Sequence, residues 1–405
     1  MNPCYGRRTL DFLTFVTTTA TLPLAFSNVF SSPEDLDAVA SCLTSNSSDV
    51  EDLAYNACAE SLRRLLRRES VLLTGSCTQA LEVSALLLNL TPGDEVIVPS
   101  FTFPSTANAF ALRGANILFA DSLPDSPNIA PHEIARLLSP RTKAVVGVHY
   151  GGIACNILEI LDLIKDSKIS LVEDAAHTLG ASYRGQPLGT FGSFGAFSFH
   201  HTKNISCNHG GALVFQTKDA ERVEALSSKG TNQFAAKRKQ VQFYEWVEIG
   251  SAMRMSGCHA AILSARLPYL IEITEHRVRL WERYYRNLAP LRDSELLAVP
   301  VVTPEAQHNA HIFFITTRTC EEAVRLLQHL TNNGIEALRH YVPLHMSKYG
   351  RRLHSGEPLP HAERFASRLI RLPLSHTLKE EDVDRVSDVI QSFFSKGDTI
   401  CPTSR

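Results

Sequence analysis

The sequence predicts an α/β fold, with a large domain on a mostly parallel sheet and a smaller α+β domain after it. Three observations lead there. From about residue 70 to 180, apolar runs of strand length alternate with helix-length segments, the pattern of parallel strands joined by helical crossovers. Beyond Pro290, short strands and helices mix without that alternation. The chain has 405 residues, which at roughly 150 per domain suits two or three domains. The divisions expected are an extension over 1–21, a large domain over 22–255, a small C-terminal domain over 256–396 and a tail over 397–405.

Composition removes several function classes. A net charge of −2, with no basic face outside Arg63–Arg68, argues against a nucleic-acid partner. Nine cysteines, an odd number without a Cys-x-x-Cys pair, support neither a disulfide framework nor a zinc finger and fit a reducing, cytoplasmic setting. Asn-x-Ser/Thr sequons at Asn46, Asn89 and Asn204 do not outweigh that. The apolar stretch Phe12–Phe26 follows Arg7 and Arg8, but Pro23 interrupts it and it is too short to span a bilayer. Asp11 before it argues against a signal peptide, so an extension is read there, with a targeting segment as the alternative. No other stretch could cross a membrane, and none is expected as a partner.

In chain order, Ser32-Pro33-Glu34-Asp35 caps a helix continuing from Leu36 to Leu43. A polar loop over 45–52 leads to an amphipathic helix from Leu53 to Arg68. Its four arginines read as a solvated face, with a phosphate patch as the alternative. Ser70–Leu73 is a strand, 74–78 a tight turn and Gln79–Leu90 an apolar helix. Strands follow at Glu95–Val98, Ile117–Ala120, Ala144–Val148 and Ile169–Val172, separated by helices Ser105–Arg113, Pro131–Leu138 and Leu158–Lys165. Strand character returns at 196–202 and Ala212–Phe215, and a helical region begins at Ala220. One long helix is expected from His259 to about Leu288. The last part should hold strands Leu297–Val302, His311–Thr317 and Glu336–Arg339, with helices Glu321–Asn332 and Lys379–Phe394.

In such sheets the ligand crevice lies outside the carboxyl ends of the strands. Ser76, Phe103, His149 and Asp174 all fall at such ends. Lys203 follows the run Ala196–Thr202, whose alternation puts Phe197, Phe199 and His201 on one face and Ser198 and His200 on the other. A strand end can hold one reactive amine that forms an imine with a carbonyl cofactor; a lone loop lysine is otherwise simply solvated. If the cofactor is pyridoxal 5'-phosphate, it needs an anion site, a carboxylate for its pyridine nitrogen and a flat group against its ring. Ser76 with a helix N-terminus behind it, and Ser198, could hold the phosphate. Asp174 could face the nitrogen, and Phe103 or His177 could stack on the ring. Taken singly, the Ser76 turn is equally an ordinary capped helix and Asp174 equally a turn carboxylate. No metal is expected, because the histidines lack ligand spacing and His200 and His201 point apart.

A series of ordered motifs carries a resemblance: Leu73–Leu81, Pro92–Phe103, Ser105–Phe110, Val148–Gly152, Val172–His177, Phe197–Asn204, Lys229–Asn232 and His340–His345. Over about residues 22–395 the chain resembles the DegT-type sugar-nucleotide aminotransferases, pyridoxal-phosphate enzymes of fold type I, the aspartate-aminotransferase-like fold. Among them it most resembles the transaminases that make dTDP-4-amino-4,6-dideoxygalactose. The resemblance implies Lys203 as the Schiff-base lysine and Asp174 as partner of the pyridine nitrogen. It implies Ser76, Cys77 and Ser198 at the phosphate, Phe103 on the ring, and His177 against the ring or its 3-hydroxyl. A homodimer with shared active sites is implied, with Asn232 reaching a neighbour's phosphate and Tyr341 and His345 near the sugar nucleotide. The implied activity moves an amino group from glutamate to a 4-keto-6-deoxy nucleotide sugar. The alternatives are a different keto sugar or cyclitol, or a catalytically silent cofactor-binding homologue; a dehydratase branch that replaces the lysine by histidine is disfavoured by Lys203. The chain departs from the family pattern at Leu158, His209, Gly257, Cys258 and Arg266.

Overall fold

The computed structural model describes residues 23–44, 49–354 and 356–395; the expected extension over 1–21, the sequon at Asn46 and the tail over 397–405 lie outside them. Two helices, α1 (Asp35–Thr44) and α2 (Asp49–Leu66), precede the main sheet. That sheet has seven strands: β1 (Val71–Thr74), β2 (Glu95–Pro99), β3 (Asn116–Ala120), β4 (Thr142–Val148), β5 (Ser170–Asp174), β6 (Phe194–Ser198) and β7 (Gly211–Val214). Their spatial order is β1-β7-β6-β5-β4-β2-β3. β2 to β6 run parallel, and β7 runs antiparallel between β6 and β1. The apolar runs that predicted these strands are buried along nearly their whole length, as a sheet covered on both faces requires.

The crossovers are α3 (Cys77–Leu87), α4 (Pro104–Ala111), α5 (Pro131–Leu137) and α6 (Ile157–Ile164), and α7 (Ala220–Ser227) follows the sheet. On one face Leu81, Val98, Phe110 and Val146 pack together. On the other, Tyr55 and Leu62 of α2 meet Leu73, Phe197 and Phe199.

The single helix expected from His259 to Leu288 is two, α8 (Gly257–Arg266) and α9 (Leu270–Asn287), joined by a 3₁₀ turn at Leu267–Tyr269. Pro268 causes the break, because it has no N–H to continue the helical ladder. A second, antiparallel sheet contains β8 (Leu297–Ala298), β9 (Phe313–Thr317) and β10 (Leu369–Leu372). It packs on α9, α10 (Cys320–Asn332) and α12 (Glu380–Ser395) through Leu280, Trp281, Phe313, Leu326 and Ile390. Between α10 and α12 lies α11 (Pro360–Arg368). The expected strand Glu336–Arg339 reduces to one bridge, Leu338 with Arg371. The backbone before it is taken by an N-terminal strap: Leu24 N–H donates to Gly334 O at 2.9 Å and Glu336 N–H donates to Leu24 O at 3.1 Å. β10 and α11 were not expected. Four residues are too few for a periodicity, and the buried face of α11 is mostly alanine, with Phe365 its one large side chain.

Several sequence features acquire a physical meaning here. Arg64, Arg67 and Arg68 are exposed, the solvated face expected, and within it Arg67 donates to Gly185 O at 3.2 Å and Arg68 to Thr190 O, docking the end of α2 on a neighbouring loop. The Asn204 sequon is buried, with its amide donating to Asn309 O at 2.9 Å. Cys320 is disulfide-bonded, whereas Cys58, Cys77, Cys155, Cys207 and Cys258 are free thiols.

Arg266, one of the departures, is a clamp. Its guanidinium pairs with Asp35 of α1 at 2.5–3.0 Å and donates to Ser206 O at 2.7 Å, just beyond Lys203. Burial opposes ionisation of Asp35, and the Arg266 pairing overrides it, holding the carboxyl below its usual range. Arg266→Gln should lower stability by about 3 kcal/mol in urea unfolding, the usual cost of removing one partner of a buried pair. A variant as stable as the parent would deny Arg266 this role.

Candidate active site

The sheet register brings three strand ends together. Asp174, the last residue of β5, faces Ala196 of β6. Two residues on, Ser198 faces Gly211 of β7, and Gly211 faces Thr74 of β1 on its other side. The Thr74–Ser76 turn and Ser198 therefore flank Gly211. Ser76 caps α3, its Oγ accepting from Gln79 N–H at 3.2 Å, so the first N–H groups of that helix open beside the same spot. Gly211 permits the approach: a Cβ there would sit 2.4 Å from Cys77 N and from the Ser76 carbonyl carbon. Gly211→Ala should push this turn outward, costing about 1–3 kcal/mol of stability and weakening cofactor retention. Cofactor titration alongside thermal melting checks this, and a variant with unchanged retention would refute it.

A cavity of about 640 Å³ opens over these strand ends, the size of a small-molecule site. Ser76, Cys77, Phe103, Asp174, His177, Ser198, Lys203 and Tyr341 all line it. Asn232 and His345 do not. His345 is buried with Nδ1 2.6 Å from Ser100 Oγ and Nε2 3.3 Å from Glu363. Asn232 caps a short helix outside the cavity, its Oδ1 accepting from Glu245 N–H at 2.8 Å.

Asp174 is buried and held from both sides. Thr106 Oγ1–H donates to Oδ2 at 2.7 Å and Ala176 N–H to Oδ1 at 3.2 Å. Burial nonetheless raises its carboxyl above the usual range, against those hydrogen bonds and the Lys203 charge. Burial likewise lowers the Lys203 ammonium to about 8, although the charges of Cys77 and Asp174 oppose the change. An amine that sheds its proton near neutrality is a competent nucleophile and base. Burial pushes the Cys77 thiol well above its ordinary value, so it sits there as a neutral thiol.

His177 is neutral for the same reason, far below the usual imidazole range. Gly151 N–H donates to its Nδ1 at 3.3 Å, which leaves the proton on Nε2. The ring lies 4.4 Å from His311, which is held in turn by Asn204 at 2.9 Å. Phe103 precedes α4 and is 56 % exposed, an open aromatic face at the cavity. Tyr341 stacks on His340 at 4.0 Å.

Two strand-end features differ from expectation. β6 stops at Ser198 and the chain turns, Lys203 N–H closing onto His200 O at 2.9 Å. His201 is therefore exposed, and the His200 and His201 rings lie 3.9 Å apart where alternation had them pointing away from each other. His149, also at a strand end, lies behind the cavity. It is fully buried with Nε2 3.0 Å from Glu173. Glu173 accepts from the N–H groups of Gly189, Phe191 and Gly192, so this pair shapes the loop beneath Asp174.

The cavity also contains Arg277, His311, His340 and Arg371, and Thr106 reaches it through Asp174; sequence reasoning missed all of these. For Arg371 a signal existed, one cation in the apolar run Leu369–Leu372. Thr106 stands just past Phe103 and the end of β2, whereas Arg277, His311 and His340 are far in sequence from any strand end of the main sheet.

The departures lie around the site. His209 lines the cavity, 5.9 Å from the His200 ring and 6.4 Å from that of His259. Gly257 and Cys258 open α8, which is capped by Ser256, and Leu158 sits on the outer side of α6.

Pyridoxal phosphate fits what is present. A helix N-terminus beside a glycine that no Cβ could replace suits a phosphate, a buried carboxylate in reach of one depressed lysine suits the ring, and an open aromatic face suits stacking. Comparison with known proteins agrees. The sequence profile of the DegT/DnrJ/EryC1/StrS aminotransferase family matches residues 31–391. An uncharacterized protein of Methanocaldococcus jannaschii is 29 % identical over 346 residues, 83 % of this chain and 89 % of that one. The aminotransferase TlmJ of Streptoalloteichus hindustanus superposes with a TM-score of 0.84 at 28 % identity, over 92 % of this chain and 99 % of TlmJ. A proposed sugar aminotransferase of Streptococcus pneumoniae, in its PLP form, superposes with a TM-score of 0.83 at 22 % identity, again over 92 % and 99 %. The chain belongs to the DegT/DnrJ/EryC1/StrS aminotransferase family and is a pyridoxal-phosphate-dependent aminotransferase of fold type I.

Proposed function

We propose that this aminotransferase carries an amino group from glutamate to the keto carbon of a 4-keto-6-deoxy nucleotide sugar, as in the formation of dTDP-4-amino-4,6-dideoxygalactose. The observation that carries the chemistry is the meeting of Lys203, Asp174 and the α3 N-terminus in one cavity. The sugar rests on the ordered motifs from Leu73 to His345 and on the pneumococcal neighbour.

Bound pyridoxal phosphate supplies an electron sink that acidifies the carbon bearing the transferred amine. Asp174 keeps the proton on the pyridine nitrogen, and Thr106 and Ala176 aim its two oxygens. Ser76, Ser198 and the N–H groups opening α3, Cys77 among them, would hold the phosphate. Phe103 would stack on the ring, and the Nε2–H of His177 would meet the ring or its 3-hydroxyl. Lys203 Nζ moves the proton between the substrate carbon and the cofactor carbon, first as base and then as acid. The two half-reactions share these groups, so donor and acceptor must leave and enter in turn.

Lys203 also sets a pH dependence. Its folded value, about 8, lies below the ordinary lysine value, so the protonated form predominates below pH 8. The rate at which apoprotein captures the cofactor should therefore rise about tenfold per pH unit up to about pH 8 and then level. Stopped-flow absorbance reads this directly; a rate that keeps rising to pH 10 would mean an unperturbed amine.

The same reading makes the enzyme a cytoplasmic homodimer with shared sites. Phe243, Trp246 and Ile249 are 77, 75 and 64 % exposed on the segment that Asn232 anchors, an apolar surface suited to a second copy. Asn232, which does not line its own cavity, would in such a dimer serve a neighbour's phosphate. No helix of the described residues is long and apolar enough to cross a membrane. The test of the reaction is an absorbance spectrum with cofactor, then glutamate, then dTDP-4-keto-6-deoxyglucose, followed by product analysis. Loss of the cofactor band with glutamate and its return with the sugar are expected. A band unmoved by glutamate would favour a silent homologue, and amination of a different keto sugar would move the assignment within the family.

A further inference from the structure

A second cavity, of about 430 Å³, lies against β8, β9 and α11, and no residue lines both it and the cavity around Lys203. Buried Val299, Phe314 and Phe365 and half-exposed Val301 give it an apolar lining. Four arginines also line it, Arg292, Arg318, Arg364 and Arg368, against two exposed acids, Asp125 and Glu295. Two of the four cations are answered: Arg292 pairs with Asp293 at 2.8 Å, and Arg318 pairs with Glu322. Arg364 and Arg368 stand one turn apart on α11, where like charges repel, and among the described residues neither makes an ion pair. Arg364 donates to Pro124 O, but its Nε is buried without a hydrogen-bond partner. Burial and the Arg368 charge both lower the Arg364 guanidinium, against the charges of Asp121 and Asp125. Asp121 is itself engaged by the N–H groups of His361 and Ala362 at 3.0 and 2.7 Å. An anion held by both arginines would relieve the repulsion and the unmet donor together.

We propose that this cavity is a second small-molecule site, which takes a phosphate monoester with a flat apolar body. Three features select that ligand. Two guanidinia without a partner match the nearly double negative charge of a phosphate monoester better than the single charge of a carboxylate. A bare phosphate ion would leave most of the cavity and its apolar side chains uncovered, because the volume is that of a small-molecule pocket. Tyr285 also lines the cavity, with the Arg292 guanidinium 4.7 Å from its ring centre, so flat groups are present to stack on an aromatic body. The cofactor phosphate has its own place beside Gly211, on strands of the other sheet. This second site is independent of the substrate and donor assigned above.

The test uses cofactor-loaded protein, so that the phosphate place beside Gly211 is already filled. Phenyl phosphate and inorganic phosphate are titrated separately by calorimetry into the parent, the double variant Arg364→Gln/Arg368→Gln, and Val301→Asp, each first checked for its melting temperature. The parent should bind one phenyl phosphate per chain, about tenfold tighter than inorganic phosphate, the gain coming from the apolar lining. The double variant should weaken phenyl phosphate about tenfold or more. Val301→Asp, a change at a half-exposed position, puts a repelling charge in the same cavity and should weaken it by a similar factor. Absence of saturable binding to the parent, or equal affinity for the two probes, would overturn the proposal. Binding that survives both sets of substitutions would belong to the cavity around Lys203 and would overturn it too. If the double variant does not fold, the parent's preference between the probes and the Val301→Asp titration decide the matter.

Discussion

Lys203→Ala should lower turnover about a thousandfold or more and remove the visible band of the bound cofactor, while leaving the fold intact. Lys203 is the lysine that lines the cavity, and burial has brought it to about 8, where an amine can both attack and carry protons. No neighbour can stand in for it. His177 receives Gly151 N–H on Nδ1, His311 is tied to Asn204, and His340 has Nδ1 3.1 Å from Tyr150 Oη. Burial holds all three neutral, so none offers a proton readily. Single-turnover kinetics, absorbance and a thermal melt on one preparation give the result. Parental turnover with an unaltered band would end the assignment of Lys203.

Asp174→Asn should have two effects of opposite sign. Activity should fall about a hundredfold or more, because a neutral amide cannot hold the proton on a pyridine nitrogen. The apoprotein should become more stable at neutral pH. Burial raises the folded carboxyl above its unfolded value, so its contribution to stability is present below the ordinary carboxylate range and is lost as pH rises through the raised value. Asparagine does not ionise; its carbonyl oxygen can accept from Ala176 N–H while its amide donates to Thr106 Oγ1, so that loss disappears. Urea midpoints of the two apoproteins from pH 4 to 8 should converge at the acid end and separate towards neutrality. Parallel curves would show that Asp174 carries no strain, and a fully active variant would remove it from the reaction. The site thus holds an uncomfortable carboxylate, for which the proposed function supplies the cofactor as partner.

Much of this was legible in the residues. Strands of the main sheet are apolar runs buried on both faces, bounded by Gly, Pro and polar turns, so their composition marks them without tertiary help. Because ligands gather at the carboxyl ends of parallel strands, Ser76, Phe103 and Asp174 could be proposed together, and Lys203 joined them from the loop after β6. Motifs of the family then supplied a cofactor and a substrate class.

Other features needed the folded chain. His149 has the same strand-end position as Asp174, yet it turns into the core against Glu173, and only the packing of the 189–192 loop decides that. Alternation continued past Ser198 would have separated His200 and His201, but the strand ends where Lys203 closes a turn. Pro268 divides a helix that the apolar stripe alone runs together.

What the sequence by itself determined is the order of strands and helices, the α/β class, and the lysine, carboxylate and serine turn that suit pyridoxal phosphate, because these depend on local periodicity and on residue types at strand ends. What only the tertiary structure decided is which distant side chains share the cavity. Arg266 becomes a clamp through α1, more than two hundred residues away, and Arg371 comes to lie over the ring of Phe26, on a strap from the other end of the chain. Burial and ion pairing are properties of contacts between segments far apart in the chain, so their energies are set only once the strands and strap have met.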